Sequence, residues 1–330
     1  MDISEIGKNG LISRLTADIK PAQPSTLKGV GDDAAILCYG DTAQAVTTCA
    51  LLENIHFDLT YFPLQHLGYK AAMVAFSNLY AMNALPRQLL ISIAVSSKFS
   101  VDALEQLYKG IKHACERHQV DIAGGDTTLS VTGLAITVTA IGEAEKEKVI
   151  CRHTAQKGDL ICVSGDLGAA YMGLQILERE KKLFEDDPTT QPQLANYAYV
   201  VGRWLKPEAR KDIVNFFASA NLPPTSMIDI SDGLSPELLR ICAASGVGCE
   251  IYHHKIPIAD ETVAVAEEFS LEPLITVLNG GFDYELLFTI PVTDYDKAAG
   301  NGDISIIGYI TGKDEGCYLA TESGERIKIN

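Results

Sequence analysis

Hydrophobic residues change their spacing several times along the first half of the chain. Three apolar runs rich in β-branched residues predict strands, at residues 44–52, 88–96 and 133–144. Apolar residues recur at helical spacing from Leu64 to Ala84, and Ser100 is a suitable N-cap for a second helix that runs towards His118. Residues 120–128 predict a short strand that breaks into a turn. The resulting order, β-α-β-α-β-β, indicates an α/β or α+β fold.

The second half also mixes short strands with helices. Further strands are predicted at residues 159–165, 227–231, 285–291 and 304–310. Helices are predicted from near Leu167 and over residues 207–220 and 234–246, and the polar segment at 184–193 is typical of a surface loop.

A change of composition near residue 150 predicts a domain boundary. The charged run EAEKEK at residues 143–148 is followed by the polar segment RHTAQKGD, a pattern typical of a solvated linker. A chain of 330 residues is long enough for two domains of about 150 residues. We therefore expect an N-terminal domain at 1–149 and a C-terminal domain at 150–330.

Net charge and hydropathy exclude two classes of partner. The chain has 27 Lys and Arg against 43 Asp and Glu, a formal charge of −16, which argues against binding to nucleic-acid phosphates. No apolar run approaches the roughly 18 residues of a membrane span, so no membrane partner is expected. The N-terminal segment MDISEIGKNGLISRL lacks the features of a secretory signal, which predicts a cytoplasmic protein.

The cysteines carry no recognisable metal or redox spacing. Eight are spread along the chain without a C-x-x-C pair: Cys38, Cys49, Cys115, Cys151, Cys162, Cys242, Cys249 and Cys317. This pattern argues against the usual zinc and thiol-redox sites. Most are expected to be small, buried apolar residues.

Four segments pair glycine with acidic residues near the ends of predicted strands. They are GVGDDAAI at 29–36, AGGDTT at 123–128, DISDGLS at 229–235 and NGGFDYELLF at 279–288. Glycine permits close approach of the backbone, and carboxylates are the hard oxygen ligands that Mg²⁺ prefers. Because the chain lacks both a Walker-A sequence and a G-x-G-x-x-G motif, a metal cluster would have to hold any bound phosphates.

The ordered set of motifs resembles the thiamine-monophosphate kinase family. The matching segments, between about residues 5 and 310, are GVGDDAA (29–35), TT-x-x-L-x-E-x-IHFD (47–58), GYKA (68–71), YAMNA (80–84), GGDT (124–127), VSGDLG (163–168), DISDGLS (229–235) and GG-x-DYELLF (280–288). The family belongs to an ATP-binding superfamily that also contains aminoimidazole ribonucleotide synthetase and selenophosphate synthetase.

The resemblance implies a two-domain, synthetase-like α/β fold and a kinase activity. Its N-terminal sheet would pair with that of a second subunit in a barrel-like homodimer core. The strands at 44–52, 88–96 and 133–143 are almost continuously apolar, which suits a sheet covered on both faces. The implied reaction transfers the γ-phosphoryl group of ATP to thiamine monophosphate, with Mg²⁺ as cofactor and thiamine diphosphate as product.

The resemblance also implies roles for individual residues. The metal ligands would be Asp33, Thr47, Thr48, Asp126, Asp229 and Asp232. ATP would be contacted by Gly125, Arg152 and Ser231, and the substrate by His56. Lys70 is expected to be an exposed helix lysine. No general base is assigned, because the attacking phosphate oxygen is already anionic at neutral pH.

Three residues depart from the family motifs. Cys49 and Asn78 stand where metal-binding aspartates are expected, and Phe282 replaces a glutamate on the substrate side. Cys49 is expected to be a neutral thiol, whereas Asn78 keeps a carbonyl oxygen that can coordinate without charge. Phe282 would lie at the substrate end of the cleft, where its ring face could attract a cation by roughly 0.5–2 kcal/mol. The chain also ends at IKIN, without an aromatic tail.

Two alternatives remain open at this level. One is another ATP-dependent synthetase of the same superfamily, although no cysteine precedes Cys38 in the glycine-rich N-terminal loop where selenophosphate synthetase would normally carry a cysteine or selenocysteine. The other is a weakened paralogue that binds nucleotide or thiamine phosphates as a sensor or partner subunit. The replacements at Cys49, Asn78 and Phe282 favour the second alternative.

Overall fold

Residues 2–329 are described by the structure, which is a computed structural model. Up to residue 145 the chain forms α1 (Ile3–Thr16), β1 (Thr26–Lys28), β2 (Ala35–Cys38), β3 (Thr42–Leu52), α2 (Leu64–Ala81), β4 (Leu85–Ser96), α3 (Val101–His118), β5 (Asp121–Ser130) and β6 (Ala135–Glu145). The predicted order of strands and helices between β3 and β6 is confirmed, and Ser100 caps α3 by accepting a hydrogen bond from the Ala103 backbone N–H at 3.1 Å.

The remaining elements follow after residue 159. They are β7 (Leu160–Ser164), α4 (Ala169–Asp186), α5 (Ala198–Leu205), α6 (Lys211–Ser219), β8 (Ser226–Asp229), α7 (Leu234–Ser245), β9 (Gly248–Tyr252), α8 (Asp260–Glu268), α9 (Pro273–Asn279), β10 (Leu286–Ile290), α10 (Tyr295–Ala299), β11 (Ile304–Thr311), β12 (Cys317–Ala320) and β13 (Arg326–Lys328). The mixed α/β class is confirmed. None of the helices in the described part of the chain is long and apolar enough to span a membrane.

Two sheets organise these elements. The first has the strand order β1-β2-β3-β6-β4-β5, and the second has the order β13-β12-β9-β11-β7-β10-β8. Neighbouring strands are antiparallel except for the parallel pairs β4–β5 and β9–β12. Helix α2 packs on α3 and contacts β3, β4 and β6, so it covers one face of the first sheet.

The expected turn after residue 122 is wrong, because β5 continues through it to Ser130. The pairing with β4 instead shifts by one residue between Ile122 and Gly124, which is a β-bulge. Gly125 then lies so close to β4 that a Cβ atom there would fall 1.8 Å from the Ile91 carbonyl oxygen. The two glycines that indicated a turn therefore permit a bulge and a close strand approach.

The outer face of the first sheet is open in the single chain. Residues of β3, β4 and β6 alternate between buried positions and positions that are half-buried or exposed, so these strands are covered on one face only. Strand β5 forms the sheet edge and is exposed along nearly its whole length, with Leu129 at 81% exposure. The predicted cover on both faces is therefore absent from the isolated chain.

The expectation that Lys70 is an exposed helix lysine is wrong. Lys70 is only 1% exposed on α2, and its ammonium donates a hydrogen bond to the Trp204 carbonyl oxygen at 3.1 Å. Its Nζ lies 3.5 Å from the ring centroid of Trp204, 5.3 Å from that of Phe62 and 5.6 Å from that of Phe282. These three rings form what we call the aromatic cage. Burial lowers the pKa of Lys70 to about 7.

Replacing Lys70 with methionine should change how stability depends on pH. Between about pH 7 and about pH 10 the unfolded chain holds a proton on Lys70 that the folded chain has lost, so wild-type stability should rise with pH. Lys70 contributes at most about 1.4 kcal/mol per pH unit to the slope of the unfolding free energy against pH. Lys70→Met should abolish this contribution and raise the free energy of unfolding near neutral pH. Urea denaturation over this pH range measures both effects.

The exposed Lys112 of α3 provides the matched control. Lys112→Met removes a lysine without removing a buried charge, so it should keep the wild-type pH dependence. An unchanged slope in Lys70→Met would show that Lys70 does not titrate in this range.

Candidate functional site

Five residues from four segments, one of which is α2, lie close together and form what we call the acidic centre: Asp33, Thr47, Cys49, Asn78 and Asp229. Asp33 lies in the loop before β2, Thr47 and Cys49 lie on β3, Asn78 lies on α2, and Asp229 ends β8. Thr47 Oγ1 donates a hydrogen bond to the Asp33 carbonyl oxygen at 3.0 Å. The Asn78 amide donates to Thr47 Oγ1 at 3.0 Å and to Cys49 Sγ at 3.3 Å.

The two carboxylates of the acidic centre are buried and repel one another. Burial raises the pKa of Asp33 well above its ordinary value; the Arg152 guanidinium lowers it in part, and the nearby Asp229 charge raises it. Burial, followed by the charge of Glu237, raises the pKa of Asp229 to about 7, although Ser77 donates a hydrogen bond to its Oδ2 at 2.9 Å. A cation bound between Asp33 and Asp229 would relieve both the repulsion and the cost of burial.

The donor atoms fit a hard divalent cation such as Mg²⁺. Asp33 Oδ2 is buried and has no hydrogen-bond partner among residues 2–329, which leaves its lone pairs available. Carboxylate, hydroxyl and amide oxygens are the ligands that this ion prefers. Burial raises the pKa of Cys49 to about 12, with further contributions from the neighbouring Asp229, so its thiol is neutral at pH 7 and adds no charge.

Arg152 is the basic residue next to the acidic centre. Its guanidinium forms an ion pair with Asp33, and its Nε donates to Asp32 Oδ1 at 3.2 Å. The Arg152 backbone N–H also donates to Asp32 Oδ2, at 3.3 Å. This arrangement places a planar group of donors, suited to phosphate, beside the two buried carboxylates.

Thr48 and Asp126 lie apart from the acidic centre. Strand alternation directs Thr48 to the open face of the first sheet, opposite to Thr47, and Thr139 Oγ1 donates to its hydroxyl at 3.1 Å. Asp126 lies on the exposed edge strand β5, opposite Ser92 of β4. Strands β6 and β4 lie between β3 and β5, so these two residues are also distant from each other.

Ser231 and Asp232 occupy the loop between β8 and α7. Glu237 accepts hydrogen bonds from Ser231 Oγ at 3.3 Å and from the Asp232 backbone N–H at 3.1 Å. The Asp232 carboxylate is paired with Arg240 at 2.5 Å and with Lys8 at 3.3 Å. The first turn of α7 thus holds this loop in place, and Asp232 is already neutralised by two cations.

The segment that contains Phe282 has a strained backbone. Phe282 and Tyr284 both adopt left-handed conformations, with φ of 65° and 55°. The backbone N–H of Phe282 donates to the Ser231 carbonyl oxygen at 2.8 Å, and that of Tyr284 donates to the Ile230 carbonyl oxygen at 2.9 Å. Strain of about 1–3 kcal/mol per residue persists where the surroundings enforce it, and functional sites are the usual location.

The side chains of Asp283 and Glu285 hold this backbone conformation in place. Asp283 accepts hydrogen bonds from the backbone N–H groups of Gly168 at 2.8 Å and Ala170 at 3.2 Å, at the start of α4. Glu285 is buried between two arginines, Arg203 at 2.9 Å and Arg210 at 2.5 Å. The acidic residues of this motif therefore have structural roles.

His56 and Phe282 are both close to Lys70. The Phe282 ring meets the Trp204 ring edge-on at a centroid distance of 4.9 Å, within the aromatic cage. The pKa of His56 is lowered by burial and then by the charge of Lys70, and its Nδ1 accepts a hydrogen bond from the Leu52 backbone N–H at 3.1 Å. The structure thus gathers the two predicted substrate residues around a buried lysine.

A cleft of about 290 Å³ opens beside Trp204. Its polar wall includes Glu178, which accepts a hydrogen bond from the Tyr61 hydroxyl at 2.5 Å, and Asp58, which pairs with Lys181 at 2.6 Å. No sequence motif predicted a cleft here. The motif at 47–58 contains Asp58 of its wall, and Trp204, the only tryptophan in the chain, is a further sequence signal that could have drawn attention to it.

Comparisons with known proteins identify relatives of the chain. The family model described as AIR synthase related protein, N-terminal domain, matches residues 31–144. The thiamine-monophosphate kinases of Aquifex aeolicus and Bacillus subtilis are 34% and 31% identical to the chain, over 88% and 86% of both chains respectively.

A solved structure extends this similarity to the fold. The structure described as AaThiL complexed with AMPPCP and TMP superposes with a TM-score of 0.85 at 29% identity, covering 99% of this chain and 96% of that one. Together with 34% identity to the Aquifex aeolicus enzyme over most of both sequences, this similarity shows that the chain belongs to the thiamine-monophosphate kinase family.

Proposed function

We propose that the chain transfers the γ-phosphoryl group of ATP to thiamine monophosphate, giving thiamine diphosphate, and that it uses Mg²⁺. The observation that carries this proposal is the buried pair Asp33 and Asp229, with its unpartnered carboxylate oxygen, in a member of this family. The relatives bear the name of this kinase, and the neighbouring structure was described with a nucleotide analogue and TMP.

We propose that Asp33, Asp229, Thr47 and Asn78 hold one cation at the acidic centre. Mg²⁺ there would neutralise the charge that spreads over the transferred phosphoryl group. Thr48 and Asp126 are proposed as ligands from the family motif, and because β6 and β4 lie between their strands, they would not bind the same cation within one chain. Asp232 is paired with Arg240 and Lys8, so it would contribute less than Asp229 does.

Arg152, Gly125 and Ser231 are the proposed contacts to ATP. The Arg152 guanidinium can exchange its pairing with Asp33 for a phosphate group once a cation neutralises that carboxylate. No general base is required, because the acceptor phosphate is anionic at neutral pH and needs only to be positioned in line. The chain's residues therefore act by orienting two phosphates and offsetting their charge.

We propose that thiamine monophosphate binds between the acidic centre and the Trp204 cleft. His56 and Phe282 lie at this end, and Glu178 and Asp58 provide hydrogen-bond acceptors in the cleft wall. The phosphate end would face the acidic centre and the thiamine rings would face the aromatic residues.

We also propose that the protein is a homodimer. Each chain would have an N-terminal domain at 1–149 and a C-terminal domain at 150–330. The open face of the first sheet and the exposed edge strand β5 support the dimer, because an unpaired strand edge is a ready partner for a second copy. Light scattering at micromolar concentration should give twice the mass of one chain. The cytoplasmic location predicted from the N-terminal sequence stays a prediction.

The first test is ADP release in a coupled assay with thiamine monophosphate over a range of Mg²⁺ concentrations. Asp229→Asn should lower kcat/KM by roughly 100-fold, since it removes a buried charge worth several kcal/mol to a bound divalent ion. Asp232→Asn should have a smaller effect. Asp314→Asn changes an exposed aspartate in the turn between β11 and β12, and this control should match the wild type. Background turnover by the wild type at every Mg²⁺ concentration would favour the weakened-paralogue alternative.

Restoring carboxylates at the acidic centre should strengthen Mg²⁺ binding. Cys49→Asp combined with Asn78→Asp adds two negative charges beside Asp33 and Asp229. A divalent ion about 4 Å from a carboxylate gains on the order of 2 kcal/mol even at the dielectric of water. The Mg²⁺ concentration for half-maximal turnover should fall at least about tenfold. The uncharged variant Cys49→Asn is the control, and an equal shift in both variants would contradict an electrostatic cause.

Changes at Phe282 should alter the affinity for thiamine monophosphate. Phe282→Ala removes a ring that packs against Trp204 and should weaken substrate binding, whereas Phe282→Glu places a carboxylate near Lys70 and should change affinity in a pH-dependent way. Calorimetric titration of the wild type and both variants with thiamine monophosphate measures these affinities. Equal affinities would mean that the side chain lies outside the substrate site.

A further inference from the structure

Three cysteines distant in sequence from the acidic centre converge in the second sheet. Cys242 lies on α7, Cys249 on β9 and Cys317 on β12. Cys249 and Cys317 are direct register partners in the parallel pair of strands, and α7 brings Cys242 to them. Their Sγ atoms all lie within 4.8 Å of one another. The absence of a C-x-x-C pair therefore concealed a thiol cluster that only the tertiary structure assembles.

The spacing of the cluster matches three sulfur ligands around one metal ion. With metal–sulfur bonds of about 2.3 Å, three thiolates arranged trigonally around an ion lie about 4.0 Å apart. The three Sγ atoms all lie within 4.8 Å of one another, so at most a small side-chain movement brings them to this distance. A disulfide, by contrast, joins two sulfurs and leaves the third without a partner.

The donor set selects a soft ion. No histidine, aspartate or glutamate within residues 2–329 joins the three thiols in this group. Thiolate ligands without hard oxygen donors favour thiophilic ions, whereas Mg²⁺ prefers oxygen. The acidic centre and the thiol cluster thus have opposite preferences for metals.

Burial supports the same interpretation. Cys242 and Cys249 are buried, which protects them from solvent, whereas Cys317 is partly exposed and provides a route for an ion to enter. The surroundings are apolar, since both buried thiols belong to the smaller hydrophobic cluster. A bound ion would therefore be shielded from water on most sides.

We propose that Cys242, Cys249 and Cys317 bind one thiophilic d¹⁰ metal ion, such as Zn²⁺ or Cu⁺, in a three-sulfur site. The ion would join α7 to β9 and β12. Because Glu237 and Arg240 in the same helix hold the loop of Asp232, the ion would also stiffen the support of that loop. The site is separate from the proposed kinase chemistry, and its test is independent of kinase activity.

The experiment is a titration of the reduced full-length chain with Cd²⁺, without oxygen and with excess Mg²⁺ to saturate oxygen sites. Ultraviolet charge-transfer absorption counts the thiolates bound to Cd²⁺. The wild type should bind one equivalent through three thiolates. Cys242→Ser, Cys249→Ser and Cys317→Ser should each lose this signal or weaken binding at least tenfold.

Two cysteines outside the cluster provide matched controls. Cys115 is buried and Cys38 is half-buried, so Cys115→Ser and Cys38→Ser match the burial of Cys249 and Cys317. Both control variants should still bind one equivalent of Cd²⁺ through three thiolates. Cd²⁺ or Zn²⁺ should raise the melting temperature only of proteins in which the three-cysteine cluster is intact. Circular dichroism confirms that each variant is folded before titration. If a variant at a buried cysteine is unfolded, Cys317→Ser, at a partly exposed position, replaces it in the test.

Two results would overturn the proposal. One is the same three-thiolate signal in the wild type and in a folded cluster variant. The other is a disulfide between two of the three cysteines in protein isolated under thiol-blocking conditions, found by peptide mass spectrometry, because that bond would leave only one of these sulfurs for an ion.

Discussion

Burial of the Asp33 and Asp229 carboxylates is the constraint on which the site depends. Removing such charges from water costs several kcal/mol for each ion, and placing two together adds to that cost. Ser77 and Arg152 offset part of it through a hydrogen bond and an ion pair. The remaining cost would be offset by the cation proposed for this site, so the carboxylates of the folded chain already favour a positive charge there.

The same constraint explains why distant segments support the centre. Asp33 precedes β2 of the first sheet, and Asp229 ends β8 of the second sheet. The two carboxylates therefore meet only because both sheets pack against α2. Arg152 belongs to the connection between the sheets and pairs with Asp32 and Asp33 of the first half. The segment next to the predicted domain boundary therefore also connects the two halves electrostatically.

Sequence patterns predicted the elements whose periodicity is unambiguous. Strands β3, β4 and β6 and helices α2 and α3 were identified because apolar spacing reports burial on one face. The continuity of β5 was missed because two glycines permit a bulge as readily as a turn. The short strands β1 and β2 have too few residues to show a period.

The motifs located the acidic residues but could not predict their partners. Ser77 touches Asp229 across 152 positions of sequence, and the thiol cluster draws on three separate elements. The burial of Lys70 has the same origin, since its hydrogen bond to Trp204 spans 134 positions. Such contacts arise only from tertiary packing, which no local pattern contains.

The aromatic cage changes the argument about substrate recognition. From the sequence, the ring face of Phe282 could attract the thiazolium cation, but Lys70 already occupies the space near the rings, 3.5 Å from the Trp204 centroid. A second cation placed there would meet a like charge whenever Lys70 is protonated. Because burial lowers the pKa of Lys70 to about 7, a substantial fraction of the amine is neutral at physiological pH, and this repulsion is correspondingly reduced. In the binding mode proposed above, recognition of the cationic substrate at this end of the cleft would therefore be coupled to the protonation of Lys70.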